Sequence, residues 1–159
     1  MSASATSSAI SLLDDDDYVW RTIASDALQA ERSAGLLLER GVRTAAILHR
    51  DEAWGNGIAE AFIEAFEDSE GRATGAMGGS AGASSTGEVF ASVAYDVTGD
   101  SIRDLFAYDY REELTEVFAE MPEVLVVASF DEVSRIATRM ILGGHLDVYG
   151  DEPPILWLV

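Results

Sequence analysis

The stretch TAAILHRDEAWGNGIAEAFIEAF, residues 44–66, decides how this chain is read. Ala45-Ala46-Ile47-Leu48 is short and continuously apolar, the pattern of a strand buried on both faces of a parallel sheet. Ile58, Phe62, Ala65 and Phe66 then recur at helical spacing. Between them, residues 50–57 (RDEAWGNG) read as a polar, glycine-bearing connection. In open α/β sheets such connections line the crevice beyond the carboxyl ends of the strands, where small molecules bind. Trp54 stands in this connection, and two roles are open to it: capping the sheet edge, or forming a wall of a binding crevice.

The same alternation runs outward in both directions. Ser25 and Asp26 supply an N-cap for a helix reaching about Arg40 and closed by Gly41. Its Ala27, Ala30, Ala34, Leu37 and Leu38 make a small-residue face suited to close packing on a sheet. Upstream, residues 18–23 (YVWRTI) alternate and predict a short strand, after a leading segment rich in Ser, Ala and Thr. Downstream, residues 74–88 are dominated by Gly, Ala, Ser and Thr without periodicity, which predicts a flexible surface loop.

Strand character returns at residues 89–95. Residues 108–121 predict a helix with Leu114, Val117 and Phe118 on one face and Pro122 closing it. EVLVVAS, residues 123–129, is a second buried strand. Asp131 is expected to cap a helix carrying Val133, Ile136, Ala137, Met140 and Ile141, which ends at Gly143-Gly144. ILWLV, residues 155–159, is a last apolar strand. Strands alternating with helices imply right-handed βαβ crossovers. The expected fold class is therefore α/β: a three-layer, Rossmann-like lobe with a mostly parallel central sheet and helices on both faces. Residues 1–159 read as one such lobe. An ending in mid-strand, on five apolar residues, predicts a piece cut from a longer protein.

Composition narrows the function. At 159 residues the chain suits one compact domain. It has no apolar run long enough to span a bilayer and no positively charged apolar leader, so the piece is expected to be soluble. Cysteine is absent, which removes disulfides and thiolate metal sites. The net charge is -19, from 29 acids against ten basic residues, all of them arginine. So anionic a chain repels nucleic acid and anionic lipid. The run Asp14-Asp15-Asp16-Asp17 lacks the alternating spacing and the glycine of a calcium loop, and reads as a solvated acidic run. The acidity points to a halophilic setting, where concentrated cations screen the self-repulsion.

Enzymatic motifs are missing. There is no GxSxG elbow, no GxxxxGK[ST] phosphate loop and no HExxH. Gly55-Asn56-Gly57 lacks the third glycine of a dinucleotide fingerprint. His49 and His145 lie far apart in sequence and read as structural or surface residues. No catalytic residue, metal or cofactor is predicted. Recognition groups remain. Ser2, Ser4, Thr6, Ser7 and Ser8 offer hydroxyls and backbone N–H groups that suit a carboxylate, or else form an unstructured serine-rich leader. Phe130, just past the strand at 123–129, stands at another strand-to-helix junction. It is either a helix-start staple or part of the same wall as Trp54.

Four segments, taken in order, carry a resemblance: SASATSSAI (2–10), DYVWRTIASDALQA (17–30), the strand followed by RDEAWGNGIAEAF (50–62), and EVLVVASFDEVSRIATRMI (123–141). Together they resemble the type I periplasmic binding proteins, most closely the leucine/isoleucine/valine-binding class that serves branched-chain amino-acid ABC transporters. The likeness breaks at residues 74–87, which look like an insertion, and around residues 101–108. It implies two α/β lobes joined by hinge crossings, with the ligand held in the cleft between them. This chain resembles the second lobe, with residues 1–24 as the hinge segment entering it.

By that resemblance Ser4 and Thr6 match a Ser/Ala-x-Thr segment that binds the ligand's amino-acid backbone. Trp54 matches the aromatic residue before Gly-x-Gly that packs on the ligand, and Phe130 an aromatic residue after the later strand. The family's acidic partner for the ligand ammonium lies beyond a strand like residues 155–159, and the first-lobe serine has no counterpart here. The implied function is a non-enzymatic, extracellular or cell-surface receptor, membrane-anchored in its full-length form. It would capture a branched-chain amino acid or similar small polar solute by lobe closure and hand it to an ABC permease. The alternative is a ligand-sensing regulatory domain of the same fold. Neither implies a nucleic-acid partner, and the oligomeric state is left open.

Overall fold

The structure, a computed structural model, describes residues 6, 10, 13, 14, 16, 18–20, 22–68, 86–96 and 107–159. Ser25 holds extended backbone while its hydroxyl accepts from the Ala27 N–H at 3.3 Å, which starts α1 (Asp26–Glu39). The helix closes on Gly41, whose φ of +91° is the left-handed turn glycine adopts without strain. Four elements of expected type follow: β1 (Thr44–Arg50), α2 (Ala53–Glu67), β2 (Glu88–Tyr95) and α3 (Arg111–Val117). The chain continues as β3 (Val124–Ala128), α4 (Val133–Leu142), a 3-10 turn (Asp147–Tyr149) and β4 (Ile155–Leu158).

The four strands form one parallel sheet in the order β2-β1-β3-β4. Alternate residues of the two central strands point to opposite faces, and each face is covered. On one face Ala45 and Ile47 of β1, with Val124, Val126 and Ala128 of β3, pack against Ala30, Ala34 and Leu37 of α1 and Ile58, Phe62 and Phe66 of α2. On the other, Ala46, Leu48, Leu125 and Val127 pack against Leu114 and Val117 of α3 and Ile136 and Met140 of α4. The small face of α1 lets it lie close to its neighbours. The three-layer α/β lobe read from the sequence is the one found, with every pairing parallel.

The amino ends of the central strands are clasped. Glu123 accepts from the backbone N–H groups of Arg43 at 2.6 Å and Thr44 at 3.0 Å, while its own N–H donates to the Thr44 hydroxyl at 3.1 Å.

Several expectations are corrected. Residues 18–20, 22 and 23 form no strand: Tyr18 is 84% and Trp20 64% exposed. A strand needs a neighbour to complete its hydrogen-bond ladder, and among the described residues the sheet ends at β2 and β4. The polar connection of residues 50–57 shrinks to Asp51 and Glu52, because α2 already includes Trp54, Gly55, Asn56 and Gly57. The helix expected over residues 108–121 is regular only over Arg111–Val117, then tightens into a turn. Asp131 is not the cap of α4. Glu132 occupies that position, with its side chain committed elsewhere. Asp15, Asp17, Arg21, residues 74–85 of the predicted loop and residues 101–106 lie outside the described residues.

Candidate functional site

The carboxyl ends of β1, β2 and β3 fall at Arg50, Tyr95 and Ala128, on one side of the lobe. The N-termini of α2 and α4 follow β1 and β3 there. The start of α1 lies at this end too, since that helix finishes just before the amino end of β1. This is the crevice side of an open parallel sheet.

β1 and β3 pair with His49 opposite Ala128. Five residues beyond His49 and two beyond Ala128, Trp54 and Phe130 meet. Their ring centroids are 4.4 Å apart with planes inclined by 21°, a stacked pair. Trp54, in the first turn of α2, also packs against the α1–α2 core face. Phe130 is the outer member, 52% exposed.

Arg50 and Glu132 adjoin the pair. The Arg50 guanidinium sits 5.8 Å from the Phe130 ring centroid. Its Nη1 donates to Glu132 Oε1 at 3.2 Å, and its Nε lies 3.8 Å from Glu52 Oε2. Glu132 Oε2 accepts from the Phe130 backbone N–H at 3.1 Å. Only 2% of Glu132 is exposed, so this carboxylate depends on those partners in place of water.

Three tyrosines fill the β2 side of the same end. Tyr110 meets Tyr95 edge-on at 5.2 Å and Tyr108 at 4.9 Å, and the Tyr108 hydroxyl bonds to Glu113. Burial, reinforced by the Glu132 carboxylate, raises Tyr110 to about 12 and holds Tyr95 well above the ordinary tyrosine range. Burial and then Glu113 raise Tyr108 likewise. Burial pushes His49 below its ordinary value. Phenols held so firmly protonated are poor bases near neutral pH, and what this end offers is apolar ring surface with a few fixed polar groups.

Of the residues singled out in the sequence, Trp54 and Phe130 are brought together. Thr6 lies at the start of α1, its carbonyl accepting from the Asp26 N–H at 2.9 Å, so it stands at the same end of the lobe. Ser4 lies outside the described residues, as do Ser2, Ser7 and Ser8. Arg50, Glu132, Tyr95 and Tyr110 were not singled out. The available signal was positional: Arg50 and Tyr95 each close a strand, and Glu132 follows Phe130 by two residues. Among the described residues no group of three or more His, Cys, Asp or Glu could hold a metal ion. None of the described helices is long and apolar enough to cross a membrane.

No protein-family model matches the chain, and no curated protein matches it. Solved structures do share its fold. A solute-binding protein of an ABC transporter from Rhodopseudomonas palustris HaA2, in complex with p-hydroxybenzoic acid, is 16% identical with a TM-score of 0.64, over 98% of this chain and 34% of its own. A second, from R. palustris with 4-hydroxybenzoate, is also 16% identical, with a TM-score of 0.63 over the same shares. A protein of Rhodospirillum rubrum described as a branched-chain amino acid ABC transporter is 18% identical, TM-score 0.55, over 87% of this chain and 32% of its own. The chain thus spans about a third of the length of the structures it matches.

Proposed function

We propose that this chain, which has the fold of one lobe of the type I periplasmic solute-binding proteins of ABC transporters, is a ligand-binding lobe of such a receptor. The observation that carries the reading is the Trp54–Phe130 stack at the carboxyl ends of the parallel strands. The two rings stack on each other, so a solute packs against the outer surface of the pair and does not enter between them. Thr6, with Ser4 near it in sequence, supplies hydroxyl and backbone donors for a carboxylate. The ligand class is a small organic acid with an apolar body, a branched-chain amino acid or an aromatic acid among them. The structures of similar fold crystallised with hydroxybenzoates support the aromatic arm.

One lobe buries only one side of such a ligand, and tight binding of small molecules needs most of the surface covered. Closure of a second lobe supplies the rest. The full-length protein is then a non-enzymatic, extracellular or cell-surface receptor that delivers its solute to an ABC permease. Its acidic surface suits concentrated salt.

Calorimetric titration of the full-length protein with leucine, isoleucine, valine and 4-hydroxybenzoate tests this. At least one should bind, and Trp54→Ala should weaken it by about 1–3 kcal/mol, the scale of a lost buried side-chain contact. Thr6→Ala should cost about 1.5–3 kcal/mol, the scale of a hydrogen bond to a charged group. Binding by none of the four, or undiminished binding by both variants, refutes the reading.

A further inference from the structure

We propose that Glu132 is a positioning residue for the aromatic wall: its carboxylate braces Arg50 and the Phe130 backbone together and so holds the Phe130 ring against Trp54. This rests on the solute-binding reading for its purpose, but not for its geometry.

A carboxylate that is 2% exposed is costly unless both oxygens are engaged. Both are, and by groups from two different strand ends. Oε1 takes the Arg50 guanidinium, from the last residue of β1, across 82 positions of sequence. Oε2 takes the N–H of Phe130, in the turn leaving β3. Neither the Tyr95 nor the Tyr110 hydroxyl bonds to it, so the carboxylate is not shared with the phenols behind it.

The brace acts on a ring that stacks on Trp54 but is otherwise half open to solvent. Phe130 is half exposed, exposed side chains change rotamer readily, and which rotamers are open to a ring depends on the backbone angles beneath it. The bond to its N–H fixes that backbone. The guanidinium held by the other oxygen lies 5.8 Å from the ring centroid, within cation–π range. Glu52 does not replace Glu132 in this role: it lies 3.8 Å from Nε, and its side chain is 39% exposed. The carboxylate thus acts on the ring through the Phe130 backbone and through Arg50.

The test uses the full-length protein labelled with 5-fluorotryptophan and read by fluorine NMR without solute. The Trp54 resonance is assigned by its loss in Trp54→Phe. Phe130→Leu should move that resonance by removing the ring current of the stacked neighbour. Glu132→Ala should move it in the same direction by at least half as much, and adding Phe130→Leu to Glu132→Ala should then move it far less than in the wild type. Glu132→Gln, which keeps one acceptor and loses the ion pair, should fall between wild type and Ala. If Glu132→Ala does not fold, Arg50→Met removes one arm of the brace and should give a partial shift. A Trp54 resonance unmoved by Phe130→Leu, or moved by Phe130→Leu but by none of the Glu132 and Arg50 variants that fold, overturns the proposal. Since no solute is present, a failed ligand titration refutes the receptor reading and leaves the brace standing.

Discussion

Gly55 packs its α-carbon against the carbonyl of Arg50: a β-carbon at position 55 would lie 2.1 Å from that oxygen. The obstacle is backbone at the end of a central strand, which cannot swing aside. Glycine in a helix costs about 1 kcal/mol against alanine, yet here it lets the first turn of α2 sit directly on β1 and carries Trp54 to the crevice. Gly55→Ala should therefore destabilise the protein by about 1–3 kcal/mol, as overpacking does, despite alanine's better helix propensity. Urea unfolding checks it, and an unchanged or raised midpoint would refute the close-packing account.

That glycine also marks where sequence reading succeeded and where it stopped. The apolar runs at Ala45–Leu48 and Val124–Val127 read as buried strands and the spacing of Ile58, Phe62 and Phe66 as a helix, so the layers were legible. Gly55-Asn56-Gly57 looked like a loop because glycine ordinarily breaks helices. Its reason for being in one is a contact with Arg50 that no local pattern displays. That Trp54 and Phe130 meet was one of the two readings open to each, and its ground was that both follow the ends of apolar strands, which a parallel sheet sets side by side. The Arg50–Glu132 pair was not, since its partners stand 82 positions apart and Glu132 looks like any acid at a helix start.

At the opposite end of the sheet, Glu123 joins β3 to β1 through two accepted hydrogen bonds and one donated to Thr44. These bonds fix the register in which Ala45 faces Val124. The site is exposed, so water replaces part of what a truncation removes. Glu123→Ala should still cost about 1.5 kcal/mol, the low end for bonds to a charged acceptor, and Glu123→Gln less. Equal stability of all three proteins in chemical denaturation would show that the clasp contributes nothing.

His49 gives the fold a dependence on acid. Burial holds its pKa below the ordinary 6.5, so the unfolded chain takes up this proton before the folded one. The stability contributed by neutral His49 is complete above pH 6.5 and is lost as the pH falls through the folded value. His49→Gln removes this dependence. His145, lowered in the same direction by burial, is common to both proteins. The difference in unfolding free energy, wild type minus His49→Gln, should therefore shrink from about pH 7.5 to about pH 5. A difference independent of pH over that range would mean that His49 titrates alike in both states.

The charge of -19 should make stability depend on salt, and particular residues show where. Glu60 and Glu64 on α2, and Glu112 and Glu116 on α3, are exposed acids four residues apart on the same helical face. Like charges at that spacing repel by a few tenths of a kcal/mol per pair. Their fields reach about 30 Å at 0.01 M salt and about 3 Å at 1 M. The melting temperature should rise from dilute buffer to molar potassium chloride. Glu116→Arg turns the second pair into an attraction with Glu112 in the favourable order, and should stabilise the protein by about 0.5 kcal/mol in dilute buffer. That gain should disappear in molar salt, because the interaction it adds is screened along with the repulsion it removes. A melting temperature indifferent to salt, or a Glu116→Arg gain that persists in molar salt, would mean that surface repulsion is not what limits this fold.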